Sequence, residues 1–81
     1  MRLPRDLDGE ALARLLRRYG YVMTCQTGSH MRLTTAVEGE HHITIPRHSP
    51  LRVGTLNAIL KDVAQHFGID RDDLLVSLFS K

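Results

Sequence analysis

An imidazole at the end of a short turn is the group in this chain best placed to move a proton. His30 follows Thr27, Gly28 and Ser29. A half-polar strand pattern runs into this stretch from Tyr21, and a second runs out of it to Thr35. Gly28-Ser29 reads as a two-residue hairpin turn, with the glycine expected to supply the positive φ that a tight turn demands. His30 then stands first after the turn, at a rim open to solvent. A histidine whose pKa lies near about 6.5 takes or gives a proton at neutral pH. Such a group accelerates a proton-transfer step by roughly 10²–10⁴-fold.

Negative charge developing beside that imidazole calls for donors. Arg32 and Arg47 are candidates. So is the start of a helix at Gly54-Thr55, whose free N–H groups and dipole favour a phosphate. His48 follows Arg47 in a Pro-x-His segment, and two roles stay open for it: the complementary acid or base, or orientation of its loop. His41 and His42 are adjacent on a strand and point to opposite faces, so they cannot jointly grip one ion. His30, His41 and His48 lack the spacing of a metal site, and no metal is expected. His66 reads as ordinary helix surface. Cys25, the only cysteine, excludes a disulfide framework and reads as a small hydrophobe packed in a strand.

The elements that position these groups follow from periodicity. Asp6 or Asp8 is the expected N-cap of a first helix over Gly9–Tyr19, with Glu10 in its first turn. Leu12, Leu15, Leu16 and Tyr19 make its buried stripe, and Gly20 sits where a C′ glycine belongs. Strands are expected over Tyr21–Thr27, His30–Thr35 and His41–Ile45, the last ended by Pro46. A two-residue turn sets Thr27 against His30, Gln26 against Met31 and Cys25 against Arg32. Tyr21, Met23, Cys25, His30 and Arg32 then share one face. Val22, Thr24, Gln26, Met31 and Leu33 share the other, and the pattern alone does not say which meets the helices. Ala36–Glu40, containing Gly39, suits a second hairpin. After a basic loop over Arg47–Arg52, a second helix begins near Gly54, buries Leu56, Ile59, Leu60, Val63 and Phe67, and closes at Gly68. Asp70 is the expected cap of a short third helix, with Asp73 echoing a capping box. The order is α-β-β-β-α-α. It predicts an α+β fold with a three-stranded antiparallel sheet and helices on one face.

Composition sets the outer limits. Eighty-one residues, 42% hydrophobic and 25% charged, suit one soluble domain over residues 1–81 with a small core. No apolar run approaches the roughly 20 residues of a membrane span, and no signal peptide is recognised, so a cytoplasmic protein is expected. The net charge of +2 is unremarkable, but its distribution is not. Residues 17–54 hold five arginines against two glutamates, whereas residues 1–16 balance and residues 55–81 sum to −1. Four of the five histidines lie in the same middle third. The positive excess therefore surrounds Gly28-Ser29-His30, where a phosphate chain would be held.

The ordered combination of Gly28-Ser29-His30, Pro46-Arg47-His48 and Gly54-Thr55-Leu56-Asn57-Ala58-Ile59-Leu60, behind a short amphipathic helix and Gly20-Tyr21, resembles the HicA (YcfA-like) family of small toxins from bacterial toxin–antitoxin pairs. The match runs over roughly residues 8–79. The resemblance implies a double-stranded-RNA-binding-domain-like (dsRBD-like) fold with an extra short C-terminal helix. It also implies endoribonuclease activity on mRNA; since the ribose 2′-hydroxyl can serve as the nucleophile, cutting is expected to be metal-independent, with no cofactor. The resemblance places the catalytic role on His30. Substrate binding is then expected around Gly28, Ser29, Arg32, Arg47, His48, Gly54 and Thr55, from the turn, the nearby donors and the helix start described above. A HicB-like antitoxin is the implied partner, and the chain alone is expected to be a monomer or weak dimer. The alternative is a non-catalytic RNA-binding module of the same fold.

Overall fold

The computed structural model describes residues 3–80. Helix α1 spans Gly9–Leu16, and a 3-10 turn over Arg17–Tyr19 continues it. Strands β1 (Val22–Gln26), β2 (His30–Thr35) and β3 (His41–Pro46) follow, then helices α2 (Val53–Phe67) and α3 (Arg71–Phe79). The sheet is antiparallel in the order β1-β2-β3. This is the expected α-β-β-β-α-α order and a dsRBD-like α+β arrangement.

Asp8 is the cap of α1: its carboxylate accepts the Ala11 N–H at 2.7 Å, satisfying one of the free donors at the helix start. Leu12 and Leu16 are fully buried, while Leu15 and Tyr19 pack partly against the same core. Leu56, Ile59, Leu60, Val63 and Ala64 are the buried residues of α2. Each fully buried leucine contributes roughly 1.5–3 kcal/mol of transfer free energy. Asp70 occupies the N-cap position of α3, but its side chain makes no cap hydrogen bond, so the expected capping box is not formed. Leu74, Leu75 and Leu78 hold α3 in place by burial instead.

Met31, Leu33, Ile43 and Ile45 are buried, so their face of the sheet meets the helices. A bulge between Met23 and Cys25 corrects the expected division of β1. Met23 pairs with Leu33, whereas Cys25 pairs with Arg32 and Gln26 with Met31. The extra residue turns Met23 to the helix side, away from Cys25, Arg32 and His30. Cys25 is exposed on the outer face and does not pack as a core hydrophobe.

The helices do not cover the sheet evenly. Both α1 and α2 pack on β3, and α3 packs on α2. Every residue of β1 is exposed, including Val22 and Met23. The sheet therefore has one covered edge and one open edge, with a groove between α1 and β1. No helix among the described residues is long and apolar enough to cross a membrane.

Candidate active site

His30 opens the central strand, opposite Pro46 of β3. The turn before it is held by four hydrogen bonds, one of them from the Thr27 hydroxyl to the His30 carbonyl at 3.4 Å. The Thr27 N–H donates to the His30 carbonyl at 2.9 Å, and the His30 N–H donates to Thr27 Oγ1 at 3.1 Å. From the neighbouring loop, the Arg47 N–H donates to the Ser29 carbonyl at 2.8 Å. Gly28 is not among the residues with positive φ, and a Cβ there would meet nothing within 4 Å. The expected left-handed glycine is thus absent from this hairpin, in which the Thr27 hydroxyl accepts the His30 N–H. The second hairpin does have the left-handed pair, at Glu38 (φ 59°) and Gly39 (φ 98°).

The His30 side chain is exposed, and its Nδ1 lies 2.9 Å from Ser29 Oγ. That contact engages one ring nitrogen and leaves Nε2 facing solvent, the arrangement a proton-transferring imidazole requires. Arg32 is exposed on the same face two residues along β2, and its cross-strand neighbours are Cys25 and Thr44. Beyond it, Thr24 Oγ1, Thr34 Oγ1, His42 and Glu40 form a chain of hydrogen bonds of 2.7–3.0 Å across the outer face.

The Pro46–Leu51 loop ties this turn to α1. The Gly9 N–H donates to the His48 carbonyl at 3.2 Å, and the Leu51 N–H donates to the Leu7 carbonyl at 2.7 Å. Arg47 Nη2 donates to Glu10 Oε1 at 2.8 Å. Gly9 is buried against the end of β3, and any Cβ there would collide with the Pro46 carbonyl. A cavity of about 160 Å³ lies between Asp8, Gly9, Glu10, Arg47, His48 and Ser49. The structure thus joins Ser29 and His30 to the Arg47 backbone, while directing the Arg47 guanidinium toward α1. Gly54 and Thr55 open α2, whose N-cap position, Arg52, provides no side-chain cap. No hydrogen bond among the described residues connects them to the His30 turn.

Three residues outside the expected set shape the site. Thr27 closes the turn, Glu10 fixes Arg47, and Gly9 permits the close approach of α1. A threonine just before Gly-Ser is a readable signal, since its hydroxyl competes for nearby backbone groups. The roles of Glu10 and Gly9 depend on contacts far apart in the sequence.

A second cluster lies at the other end of the sheet. Buried Tyr21 has its hydroxyl 2.7 Å from His41 Nδ1, and His41 Nε2 lies 3.1 Å from Asp62 Oδ1. Burial, and then the Asp62 charge, push the Tyr21 hydroxyl up to about 12. His66 stacks on His41 with ring centroids 4.4 Å apart and lies 3.0 Å from the Val37 carbonyl. It is half-buried and partnered, which corrects its reading as ordinary surface. Among the described residues, no group of three or more histidine, cysteine or acidic side chains is arranged to hold a metal ion.

A dsRBD-like sheet whose central strand starts at an exposed histidine, beside an arginine-bearing loop, defines a small α+β protein with a basic, histidine-bearing end. Over residues 9–64 the chain matches the family model described as HicA toxin of bacterial toxin-antitoxin. The chain belongs to that family and is the toxin of a toxin–antitoxin system. Searches of curated proteins and of solved structures gave no match. The matched segment includes α1, the whole sheet and the Arg47 loop, and it ends within α2.

Proposed function

We propose that this toxin is a metal-independent endoribonuclease that cuts mRNA, with His30 as the general acid or base. The observation that carries the reading is the Ser29–His30 contact, set in a tied turn within the family-matched segment. The ribose 2′-hydroxyl is the nucleophile. It loses its proton, its oxygen bonds to the adjacent phosphorus, and the bond to the 5′-oxygen of the next nucleotide breaks. That oxygen takes a proton and leaves. The products are a 2′,3′-cyclic phosphate and a 5′-hydroxyl. His30 Nε2 performs one of the two proton transfers. His48 is the candidate for the other, and Arg32 and Arg47 neutralise the phosphate. Gly28 and Ser29 give the phosphate backbone close access to the turn, and the α2 start at Gly54-Thr55 is a further phosphate site.

The partner is a HicB-like antitoxin that covers the His30 end and excludes RNA by occlusion. Acidic groups on it match Arg32, Arg47 and Arg52 and steer association. The test is to incubate the purified toxin with a long RNA and with DNA of the same sequence, each with and without EDTA. RNA cutting that survives EDTA, with DNA intact, is expected. Cutting abolished by EDTA and restored by zinc or magnesium overturns metal independence. RNA binding without cutting leaves a non-catalytic RNA-binding module.

A further inference from the structure

We infer that the groove between α1 and β1 is a nucleobase subsite, which holds one unpaired base of single-stranded RNA next to the point of cleavage. This rests on the ribonuclease reading above. The groove has a volume of about 330 Å³, at the small end of the roughly 300–1,000 Å³ typical of ligand sites. Its apolar surface comes from Ala13, Met23, Met31 and Leu33. Met31 and Leu33 are buried beneath it, whereas Met23 is 52% exposed and is the apolar side chain that a ligand would meet. Methionine side chains are polarisable and adapt to flat aromatic rings.

The rim is basic. Glu10, Ala13, Arg14 and Arg17 all line the groove and follow the i, i+3, i+4, i+7 spacing of a single helical face. The stripe is about 10 Å long at 1.5 Å per residue. Glu10 already pairs with Arg47, while Arg14 and Arg17 have no carboxylate within salt-bridge distance among the described residues. An apolar floor beneath unneutralised guanidiniums suits a base below its own phosphate.

The groove is continuous with the His30 turn. Gln26 lines it and pairs with Met31, one register step from the Thr27–His30 pair. His30 and Met31 are consecutive on β2 and project to opposite faces. A strand passing over the hairpin end therefore meets the imidazole on one side and the groove on the other. The Gln26 amide offers a donor and an acceptor to a base edge. A base stacked and paired in a duplex cannot enter, so the ligand is single-stranded.

The test uses the His30→Ala variant, which keeps RNA intact, and fluorescence anisotropy with single-stranded RNA octamers. A single abasic ribose is moved along the octamer. One position should cost about tenfold in Kd, the range of a single base contact. Adding Met23→Glu should weaken binding of the intact octamer by a similar factor and abolish the abasic penalty. A flat abasic profile, a penalty unchanged by Met23→Glu, or no RNA binding overturns the subsite. Retained RNA affinity with loss of antitoxin binding in the Met23→Glu variant assigns the groove to the protein partner and also overturns it. The cleavage reading fails separately: a toxin that cuts no RNA but keeps the abasic penalty loses its nuclease role and keeps the subsite. A cutting toxin with a flat profile does the reverse.

Discussion

Ser29 Oγ lies 2.9 Å from His30 Nδ1, so a side chain adjacent in sequence takes up one of the two ring nitrogens. On the proposed mechanism, this contact sets the tautomer that leaves Nε2 for substrate. Ser29→Ala should lower kcat by about threefold to tenfold while leaving KM within twofold. The tautomer is read from the ¹⁵N shifts of His30, which should move toward those of a free, unconstrained histidine in the variant. Unchanged shifts and unchanged kcat would show that the contact has no positioning role.

Arg47 presents a different balance. Its partner Glu10 is 55% exposed, and a pair of that kind contributes about 0–1 kcal/mol. Arg47→Ala should therefore change urea-unfolding stability by less than about 1 kcal/mol. If Arg47 and Arg32 each touch a phosphate, either alanine variant should reduce the salt dependence of RNA binding by about one charge. Identical slopes in both variants and the parent would mark these arginines as solvated surface charge.

Gly9 tests how the loop is tied to α1. Alanine at a helix start gains up to about 1 kcal/mol in propensity. Here its Cβ would collide with the Pro46 carbonyl, with Ile45 Cγ2 3.2 Å and Met31 Cε 3.3 Å away. Overpacking of this kind costs about 1–3 kcal/mol, so Gly9→Ala should be net destabilising in urea unfolding. Because the same collision lies between α1 and the His30–Pro46 pair, RNA cleavage should fall with it. A variant as stable as the parent would contradict this packing.

Tyr21 makes stability depend on alkaline pH. Its hydroxyl ionises near about 10 in an unfolded chain and is pushed up to about 12 in the fold. A pKa raised on folding gives stability that is fully present below pH 10. It is lost as pH rises through 12, with a slope approaching about 1.4 kcal/mol per unit. Tyr21→Phe removes this component. The parent-minus-variant difference in unfolding free energy should be level below pH 10 and fall between 10 and 12. A level difference across that window would show that burial of the hydroxyl does not carry the shift.

The order of elements was legible because each has a strong period or a punctuating residue: the Leu12–Leu16 stripe, Gly20, the two hairpins and the Leu56–Val63 face. The bulge at Thr24 was not, since a half-polar strand reads equally well in either register. That one residue decided the place of Met23 and opened the α1–β1 groove. Cys25 looked like core because cysteines are commonly buried, yet it lies on the face that no helix covers. Gly28 looked like a left-handed turn residue, whereas its φ is not positive and the Thr27 hydroxyl accepts the His30 N–H in that turn. His30, Ser29 and Arg47 were legible as neighbours through the turn and the Pro-x-His loop. The His41–His66 stack joins a strand to a helix 25 residues away, which no local pattern encodes.

The central claim is that RNA is cut by attack of its own 2′-hydroxyl and that His30 carries one of the two proton transfers. Its most direct measurement is the chemistry of the cut ends, made with parent and His30→Ala toxin on one RNA and on a copy with a single 2′-deoxy sugar at the cleavage point. Circular dichroism confirms that the variant is folded. The parent should give 2′,3′-cyclic phosphate and 5′-hydroxyl ends, spare the deoxy position, and lose at least about a hundredfold in rate on His30→Ala. Equal cutting by the folded variant, or cutting at the deoxy position, would contradict the account.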